Sequence, residues 1–163
     1  KRVHRIVFDS SIEAYPIRDL PWPNPKRVVD LARARLLPVR QAIGQYFSGI
    51  SFELLSKNLE SIKVSYAPNR KGEAFHLMQW LLHGLKCDGD NSVNSKLIEF
   101  EPKANESLGF EIEYSHGPFI KWTQLDSSSI SHLRHNLDGV EKDLPIRIKP
   151  MLPEQVLSEA FHF

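Results

Sequence analysis

Cysteine is nearly absent from this sequence, and so are the motifs of several large enzyme classes. Cys87 is the only cysteine among 163 residues, so the chain cannot form an internal disulfide or a metal cage of several cysteines. No apolar run approaches the roughly 20 residues of a membrane-spanning helix. A Gly-x-Ser-x-Gly motif and a glycine-rich phosphate loop are also missing. These absences argue against dithiol oxidoreductases, serine hydrolases of that type and membrane-embedded proteins, and the single thiol fits a reducing compartment.

Negative charge is scarce in the first third of the chain. Residues 1–49 contain nine Lys or Arg against four Asp or Glu, whereas the remainder contains twelve against sixteen, and the net charge is +1. A basic segment on an acidic body predicts that the segment contacts an anionic partner and the body contacts protein. The basic start, residues 1–5, fits either the end of a cleaved transit peptide or the continuation of a longer tail.

The composition, with 41% hydrophobic and 25% charged residues, is that of an ordinary globular protein, and the length fits one domain with an extension. Residues 1–60 are predicted to form that extension. Its prolines exclude helix at 15–25 and indicate an extended arm after a short strand at 3–8. Asn24, followed by proline, predicts a helix start, and the helical pattern continues past a break at Pro38 to residue 47.

From residue 61 onward, strand and helix patterns alternate. They predict strands at 62–66, 96–100, 110–114 and 119–125, helices at 73–86 and from the serines at 127–129 to Gly139, and a short strand at 146–149. The first two strands are expected to be parallel, and the last two of the four to form an antiparallel hairpin. The sequence therefore predicts an α/β domain at 61–140, built on a mixed four-stranded sheet, and a C-terminal tail at 141–163.

The order of these elements resembles a thioredoxin-like sandwich, and further residues resemble one family with that fold. Leu37-Pro38-Val39-Arg40 opens a helix that ends at Phe47-Ser48-Gly49, and the same order continues through the sheet over about residues 35–140. This run resembles a small thioredoxin-like family of mitochondrial ribosomal proteins, with members in both subunits and a relative in respiratory complex I. Residues 67–71, where thioredoxins have Cys-x-x-Cys, read Ala-Pro-Asn-Arg-Lys.

The resemblance implies a structural, non-enzymatic protein of the mitochondrial ribosome, located in the matrix, with the small subunit favoured. Its implied partners are rRNA and neighbouring ribosomal proteins, and it implies no cofactor, no membrane and no small-molecule substrate. Since the total charge is nearly neutral, we expect a peripheral position with mostly protein contacts. The alternatives are a large-subunit protein, an accessory subunit of complex I, or a degenerate thioredoxin-like enzyme that uses Cys87.

The candidate RNA-binding residues are the cations of the first helices and of the turn before residue 72. They are Lys26, Arg27, Arg33, Arg35, Arg40, Arg70 and Lys71. Lys and Arg side chains bind phosphate through charge-assisted contacts, and backbone N–H groups at a helix start also favour anions. Trp22 and Tyr46 are candidates for stacking on unpaired bases. The alternative is a set of solvated helix faces without a partner.

Other residues carry weaker signals. His132 and His135 are three apart in a predicted helix, which is compatible with two metal ligands on one face, but no Asp, Glu or Cys partner has a recognisable spacing. Cys87 follows a helix C-terminus, where the helix dipole disfavours a thiolate. The sequence therefore predicts no catalytic residue and no metal site.

Overall fold

A computed structural model describes residues 5–12, 20–87, 89, 92–100, 105–125 and 128–162. The elements are β1 (Ile6–Phe8), β2 (Val28–Asp30), α1 (Leu31–Arg35), α2 (Leu37–Ser48), α3 (Phe52–Ser56), β3 (Leu59–Tyr66), α4 (Lys71–Gly84), β4 (Asn94–Glu99), β5 (Glu106–Tyr114), β6 (Phe119–Leu125), β7 (Ile130–Asn136), β8 (Lys142–Arg147) and α5 (Pro153–His162). They form an α/β fold in which helices accompany a mixed six-stranded sheet and a separate pair of strands.

The large sheet has the strand order β4-β3-β5-β6-β7-β8. Strand β3 is parallel to β4, with Val64 opposite Leu97, and antiparallel to β5. The remaining neighbours are all antiparallel. The turn between β5 and β6 has positive φ angles at His116 (74°) and Gly117 (100°), and glycine adopts such angles without steric cost.

One face of this sheet carries the hydrophobic core. Its fully buried side chains include Val64, Ile112, Trp122 and Leu133 from the sheet, Ile43, Leu77 and Leu81 from α2 and α4, and Leu36 between α1 and α2. Phe47 of α2 stacks on Trp80 of α4, with ring centroids 6.5 Å apart. Each fully buried aliphatic or aromatic side chain stabilises the fold by roughly 1.5–3 kcal/mol. The core therefore fixes α2 and α4 against the same sheet face.

The opposite face of the sheet is polar. Lys63, Glu111, Lys121 and Arg134 lie side by side across four adjacent strands in one register row. Since successive side chains of a strand point to opposite faces, the apolar residues between these positions point into the core. The alternation of burial along β6 and β7 follows from this one-sided packing.

A smaller assembly stands beside the sheet. Strands β1 and β2 pair in parallel, and α5 packs against α1 and β2. Val156 and Ala160 of α5 are buried with Ala34 in a second hydrophobic cluster. Arg5 Nη1 donates a hydrogen bond of 2.9 Å to the carbonyl of Ala160. The first and last parts of the described chain are therefore in direct contact.

The predicted strand–helix–strand unit and the following hairpin are confirmed. The predicted strands at 62–66, 96–100, 110–114 and 119–125 correspond to β3, β4, β5 and β6, and the helix at 73–86 corresponds to α4. Strand β1 lies within the predicted strand at 3–8. The parallel pairing of β3 with β4 and the antiparallel hairpin are also as expected.

The predicted helix after the serines at 127–129 is wrong. Residues 130–136 form β7, and residues 142–147 form β8, so the sheet has six strands where four were expected. Ser131 and His135 point inward together with Leu133, which removes the hydrophobic alternation typical of a strand. The backbone of β7 hydrogen-bonds to the free N–H and C=O groups along the edge of β6. This pairing holds residues 130–136 in an extended conformation.

The first helix and the C-terminal tail also differ from expectation. Asn24 precedes a single 3-10 turn, Pro25–Arg27, which leads into β2, and the α-helix begins only at Leu31. Pairing with β1 holds residues 28–30 extended. The predicted tail at 141–163 contains β8 and the ten-residue helix α5. Residues 15–19 of the arm predicted at 15–25 lie outside the described residues.

One hydrophobic cluster includes residues from all three predicted segments. Leu36 and Ile43 precede residue 60, Ile112 lies within the predicted domain, and Ile148 follows residue 140. The division at residues 60 and 140 stays a prediction. Among the residues that the structure describes, no helix has the length and apolar character that crossing a membrane requires.

Candidate functional site

A cavity of about 470 Å³ lies where β2, α1, α2 and α5 meet. Its wall consists of Phe8, Trp22, Pro25, Lys26, Val28, Val29, Asp30, Arg33, Ala34, Arg40, His76, Glu159 and Ala160. The volume falls in the range of roughly 300–1,000 Å³ that is typical of ligand pockets. Three of the predicted RNA-binding cations, the aromatic rings of Phe8 and Trp22 and two carboxylates thus share one concave surface.

Local backbone features place the three cations. Asp30 is the N-cap of α1, and its Oδ1 accepts a hydrogen bond of 3.0 Å from the backbone N–H of Ala32. Ala32 and Ala34 point into the protein, which leaves Arg33 on the exposed side of the helix. After the break at Leu36, α2 begins, and Arg40 Nη2 lies 3.5 Å from the carbonyl oxygen of Arg33.

Arg40 is the most constrained of these cations. Burial lowers the pKa of its guanidinium, the nearby positive charge of Arg33 lowers it further, and the negative charge of Glu159 acts in the opposite direction. Its Nε atom is buried and has no hydrogen-bond partner among the described residues. The Oε1 atom of Glu159 is likewise buried and without a partner within that part of the chain. Arg40 and Glu159 thus bring a cation and a carboxylate of opposite hydrogen-bonding function to one wall of the cavity.

Asp30 and His76 form a pair at the side of the cavity. His76 Nε2 lies 2.8 Å from Asp30 Oδ2, and the backbone N–H of Ser10 donates to Asp30 Oδ1 at 3.1 Å. Burial raises the pKa of Asp30, but hydrogen bonds from His76 and Ser10 outweigh it and hold the pKa well below its usual range. Asp30 is thus an anion committed to capping α1 and tying the turn after β1 to α4.

A second charged cluster lies between the turn after β1, α1 and the start of α4. Arg35 forms two hydrogen bonds with Asp9, of 2.6 and 2.7 Å, and a third of 2.8 Å with Glu73 Oε1. Arg70 Nε lies 3.2 Å from the same Glu73 oxygen, and Glu73 is only 2% exposed. The guanidinium of Arg35 holds the pKa of Asp9 below its usual range. This cluster compensates its charges internally.

The seven predicted RNA-binding cations therefore fall into three groups. Lys26, Arg33 and Arg40 line the cavity, and Arg35 and Arg70 belong to the Glu73 cluster. Arg27 and Lys71 are exposed elsewhere, on the 3-10 turn before β2 and at the first residue of α4. RNA binding by these residues stays a prediction, but the structure brings only the first group around a concave surface.

The two aromatic candidates also separate. Trp22 lies in the cavity wall. Tyr46 packs against Phe47 and His135, with ring centroids 5.8 and 5.6 Å apart. Burial raises the pKa of Tyr46 to about 12, with a smaller contribution from the charge of Asp138. Tyr46 is thus a packing residue between α2 and the sheet.

The histidine pair does not form a metal site. His132 and His135 lie on opposite faces of β7, since three residues along a strand reverse the side-chain direction. His132 Nδ1 lies 3.1 Å from Asp143 Oδ1, and His135 is buried against α2. In the described ranges no three His, Cys, Asp or Glu side chains form a group that could hold a metal ion. Cys87 is buried, and its thiol donates to the carbonyl of Leu82 at 3.4 Å.

Sequence reasoning missed Asp30, His76 and Glu159. The signal for Asp30 is a carboxylate followed by Leu-Ala-Arg-Ala-Arg, which is a reasonable helix start. Glu159 reaches the cavity only because Val156 and Ala160 pack α5 onto α1, and nothing local in the sequence indicates that contact. In comparisons with protein-family models, curated proteins and solved structures, no match to this chain was found.

Proposed function

We propose that this chain is a structural, non-enzymatic protein of the mitochondrial ribosome that contacts rRNA through the cavity lined by Lys26, Arg33 and Arg40, called the basic cavity below. The small subunit is favoured, and the compartment is the mitochondrial matrix. The observation that carries the proposal is the convergence of Lys26, Arg33 and Arg40 beside Trp22 on one concave surface. Cations next to an aromatic ring match the backbone and the unstacked bases of single-stranded RNA.

The distribution of charge supports the same proposal. Of the nine Lys and Arg residues at 1–49, Lys26, Arg33 and Arg40 line the cavity, whereas Arg35 pairs with Asp9 and Glu73. The polar sheet face carries Glu111 next to Lys63 and Lys121, so its charges are mixed. Mixed charge suits contact with protein neighbours, whereas clustered positive charge suits phosphate.

The thioredoxin-like core and the Pro-rich arm belong to this proposal. A parallel β3–α4–β4 unit followed by the antiparallel hairpin β5–β6 supports such a core, with β7 and β8 as additions at one edge. The turn at the start of α4 contains no thiol, and Cys87 is buried in the loop after that helix. These features favour a role in binding over one in thiol chemistry.

Sedimentation tests the assignment. In sucrose gradients of gently lysed mitochondria, we expect the chain to migrate with the small ribosomal subunit and to lose that position after RNase treatment. Migration with the large subunit would instead assign the chain to the large-subunit proteins of the same family. RNase-insensitive migration with a respiratory complex, or migration as a free monomer, would overturn the ribosomal assignment.

Charge reversal tests the contact surface. Replacing Lys26, Arg33 and Arg40 by Glu is expected to reduce incorporation into the subunit at least about tenfold, because each lost phosphate contact weakens binding and each new carboxylate repels phosphate. The matched control reverses three exposed cations outside the cavity, Lys57, Arg147 and Lys149. Equal incorporation of both triple variants would contradict RNA contact through the cavity.

A further inference from the structure

The basic cavity contains a feature that phosphate binding does not explain. Phosphate oxygens accept hydrogen bonds, so Lys26, Arg33 and Arg40 suit them. Glu159 does not, because a carboxylate repels phosphate and can only accept a hydrogen bond. Yet Oε1 of Glu159 is buried in the same wall, without a partner among the described residues. An anion alone would leave this carboxylate unsatisfied.

The unused polar atoms of the wall form a complementary pair. Arg40 Nε is a donor and Glu159 Oε1 is an acceptor, and both are buried without a partner in the described part of the chain. They are not ion-paired with each other, although the charge of Glu159 acts on Arg40. Both side chains line the cavity, so a ligand inside it that offers an acceptor next to a donor can pair with the guanidinium of Arg40 and the carboxylate of Glu159.

The edge of a nucleobase offers both. Each base presents ring nitrogens or carbonyl oxygens as acceptors close to an amino or imino donor. Trp22 and Phe8 supply aromatic surface in the same wall, and stacking on aromatic side chains is how proteins hold unstacked bases. Lys26 and Arg33, the remaining cations of the wall, are then available for the 5′-phosphate.

We propose that the cavity binds one nucleoside monophosphate unit, with its base edge on Arg40 and Glu159 and its phosphate on Lys26 and Arg33. The inference rests on the proposed RNA contact, for which this unit is an unpaired nucleotide. A base within a duplex is excluded, since its Watson–Crick edge is already paired and it cannot enter a cavity of about 470 Å³. The same chemistry also fits a free mononucleotide.

Calorimetric titration of the full chain with AMP and with ribose 5-phosphate separates the base from the phosphate. We expect AMP to bind at least about tenfold more tightly than ribose 5-phosphate, because only AMP has a base that can pair with Arg40 and Glu159 and stack on Trp22. Equal affinity for the two ligands, or no detectable binding of AMP, would overturn the proposal.

Two variants assign the contacts. Glu159→Met is expected to weaken AMP binding about tenfold and to leave ribose 5-phosphate binding unchanged or tighter, whereas Lys26→Met weakens both. The control Glu154→Met makes the same change at an exposed position of α5 that is not in the cavity wall. If Glu159→Met and Glu154→Met bind AMP equally well, the base is not held by this pair and the proposal fails. Because Lys26 is exposed, the Lys26→Met result is independent of any folding defect at Glu159.

The source of the nucleotide is decided by a third ligand. Tighter binding of single-stranded pentaadenylate than of AMP, with no binding of an RNA duplex, assigns the cavity to an unpaired RNA nucleotide. Binding of AMP without binding of pentaadenylate supports the ligand class with a free nucleotide as its source. The sedimentation experiment remains separate: a chain that binds AMP but never enters a ribosomal subunit contradicts the proposed function and leaves this inference standing.

Discussion

Arg33 and Arg35 stand two residues apart in one short helix and have different surroundings. Arg33 is exposed beside the cavity, whereas Arg35 bridges Asp9 and the buried Glu73. The partners of Arg35 lie 26 residues before it and 38 residues after it. The sequence shows two equivalent cations here, because no local pattern reveals contacts over such separations.

This difference leads to a stability prediction. Arg35→Met is expected to lower the free energy of unfolding by about 2 kcal/mol, because it leaves the buried carboxylate of Glu73 with Arg70 as its remaining cationic partner among the described residues. The estimate is below that for a fully buried pair, since the Arg35 side chain is 29% exposed. Urea unfolding at neutral pH measures it. The control Arg33→Met is expected to change stability by less than about 0.5 kcal/mol, and equal losses for both variants would contradict the prediction.

Acid sensitivity follows from the lowered pKa values of Asp9 and Asp30. Hydrogen bonds from Arg35 lower the pKa of Asp9, and those from His76 and Ser10 overcome the effect of burial at Asp30. The folded state therefore binds fewer protons than the unfolded state at mildly acidic pH. The stabilisation is fully present above the ordinary aspartate pKa of about 4 and is lost as pH falls through the lower folded-state values.

Asp30→Asn tests this linkage. In urea unfolding between pH 7 and pH 3, we expect the free energy of unfolding of the wild type to decrease once the pH drops below about 4. The decrease is up to about 1.4 kcal/mol per pH unit for each proton taken up. The variant is expected to fall less steeply, because its amide does not titrate. Parallel pH profiles for the two proteins would show that Asp30 contributes no pH dependence.

At the level of elements, β7 shows where the sequence pattern is insufficient. Ile130, Leu133 and Leu137 have a helical spacing, but Ser131 and His135 occupy the inward positions of a strand. Ser131 donates a hydrogen bond of 3.0 Å to the carbonyl of Ile146 on β8, which gives the buried hydroxyl a partner. The sequence itself indicates β8 only weakly. In contrast, apolar and polar residues alternate at 62–66 of β3 and at 110–114 of β5, and these strands were predictable.

Two glycines of α4 give opposite expectations for the same substitution. A Cβ at Gly72 would lie 2.8 Å from the backbone nitrogen of Ser11, whereas a Cβ at Gly84 would have nothing within 4 Å. Gly84→Ala is expected to stabilise the protein by about 0.5–1 kcal/mol through helix propensity. Gly72→Ala is expected to destabilise it by about 1–3 kcal/mol, because the turn after β1 must move away from α4. Thermal and urea unfolding measure both, and stabilisation by Gly72→Ala would contradict this close approach.

At the scale of the whole molecule, we expect the first sixty residues to fold together with the sheet. Ile43→Ala removes a fully buried side chain of α2 and is expected to cost about 3 kcal/mol. Since α2 shares one core with the sheet, far-UV and near-UV circular dichroism should report the same transition. Ile12→Ala, at a position that is 80% exposed, is the control without effect. Two separate transitions would instead support an independent unit before residue 60.

The predictable part of the molecule is the part whose contacts are local. The crossover β3–α4–β4 and the hairpin β5–β6 connect neighbours in sequence, so periodicity and turn residues sufficed. The cavity joins β2 and α2 with α5, more than 100 residues later in the chain. Its cations were recognisable as basic residues, but their convergence with Glu159 depends on long-range packing.

The contact between Arg5 and Ala160 has a consequence for dynamics. It closes a separation of 155 residues, and the apolar cluster that holds α5 has far fewer buried residues than the main core. Closing so long a loop has a high entropic cost, so we expect α5 to dock last during folding and to detach first in local opening. In hydrogen–deuterium exchange, the amides of α5 should exchange well before those of β3 and β5. Because α5 supplies one wall of the cavity, the cavity would then open to solvent while the sheet remains folded.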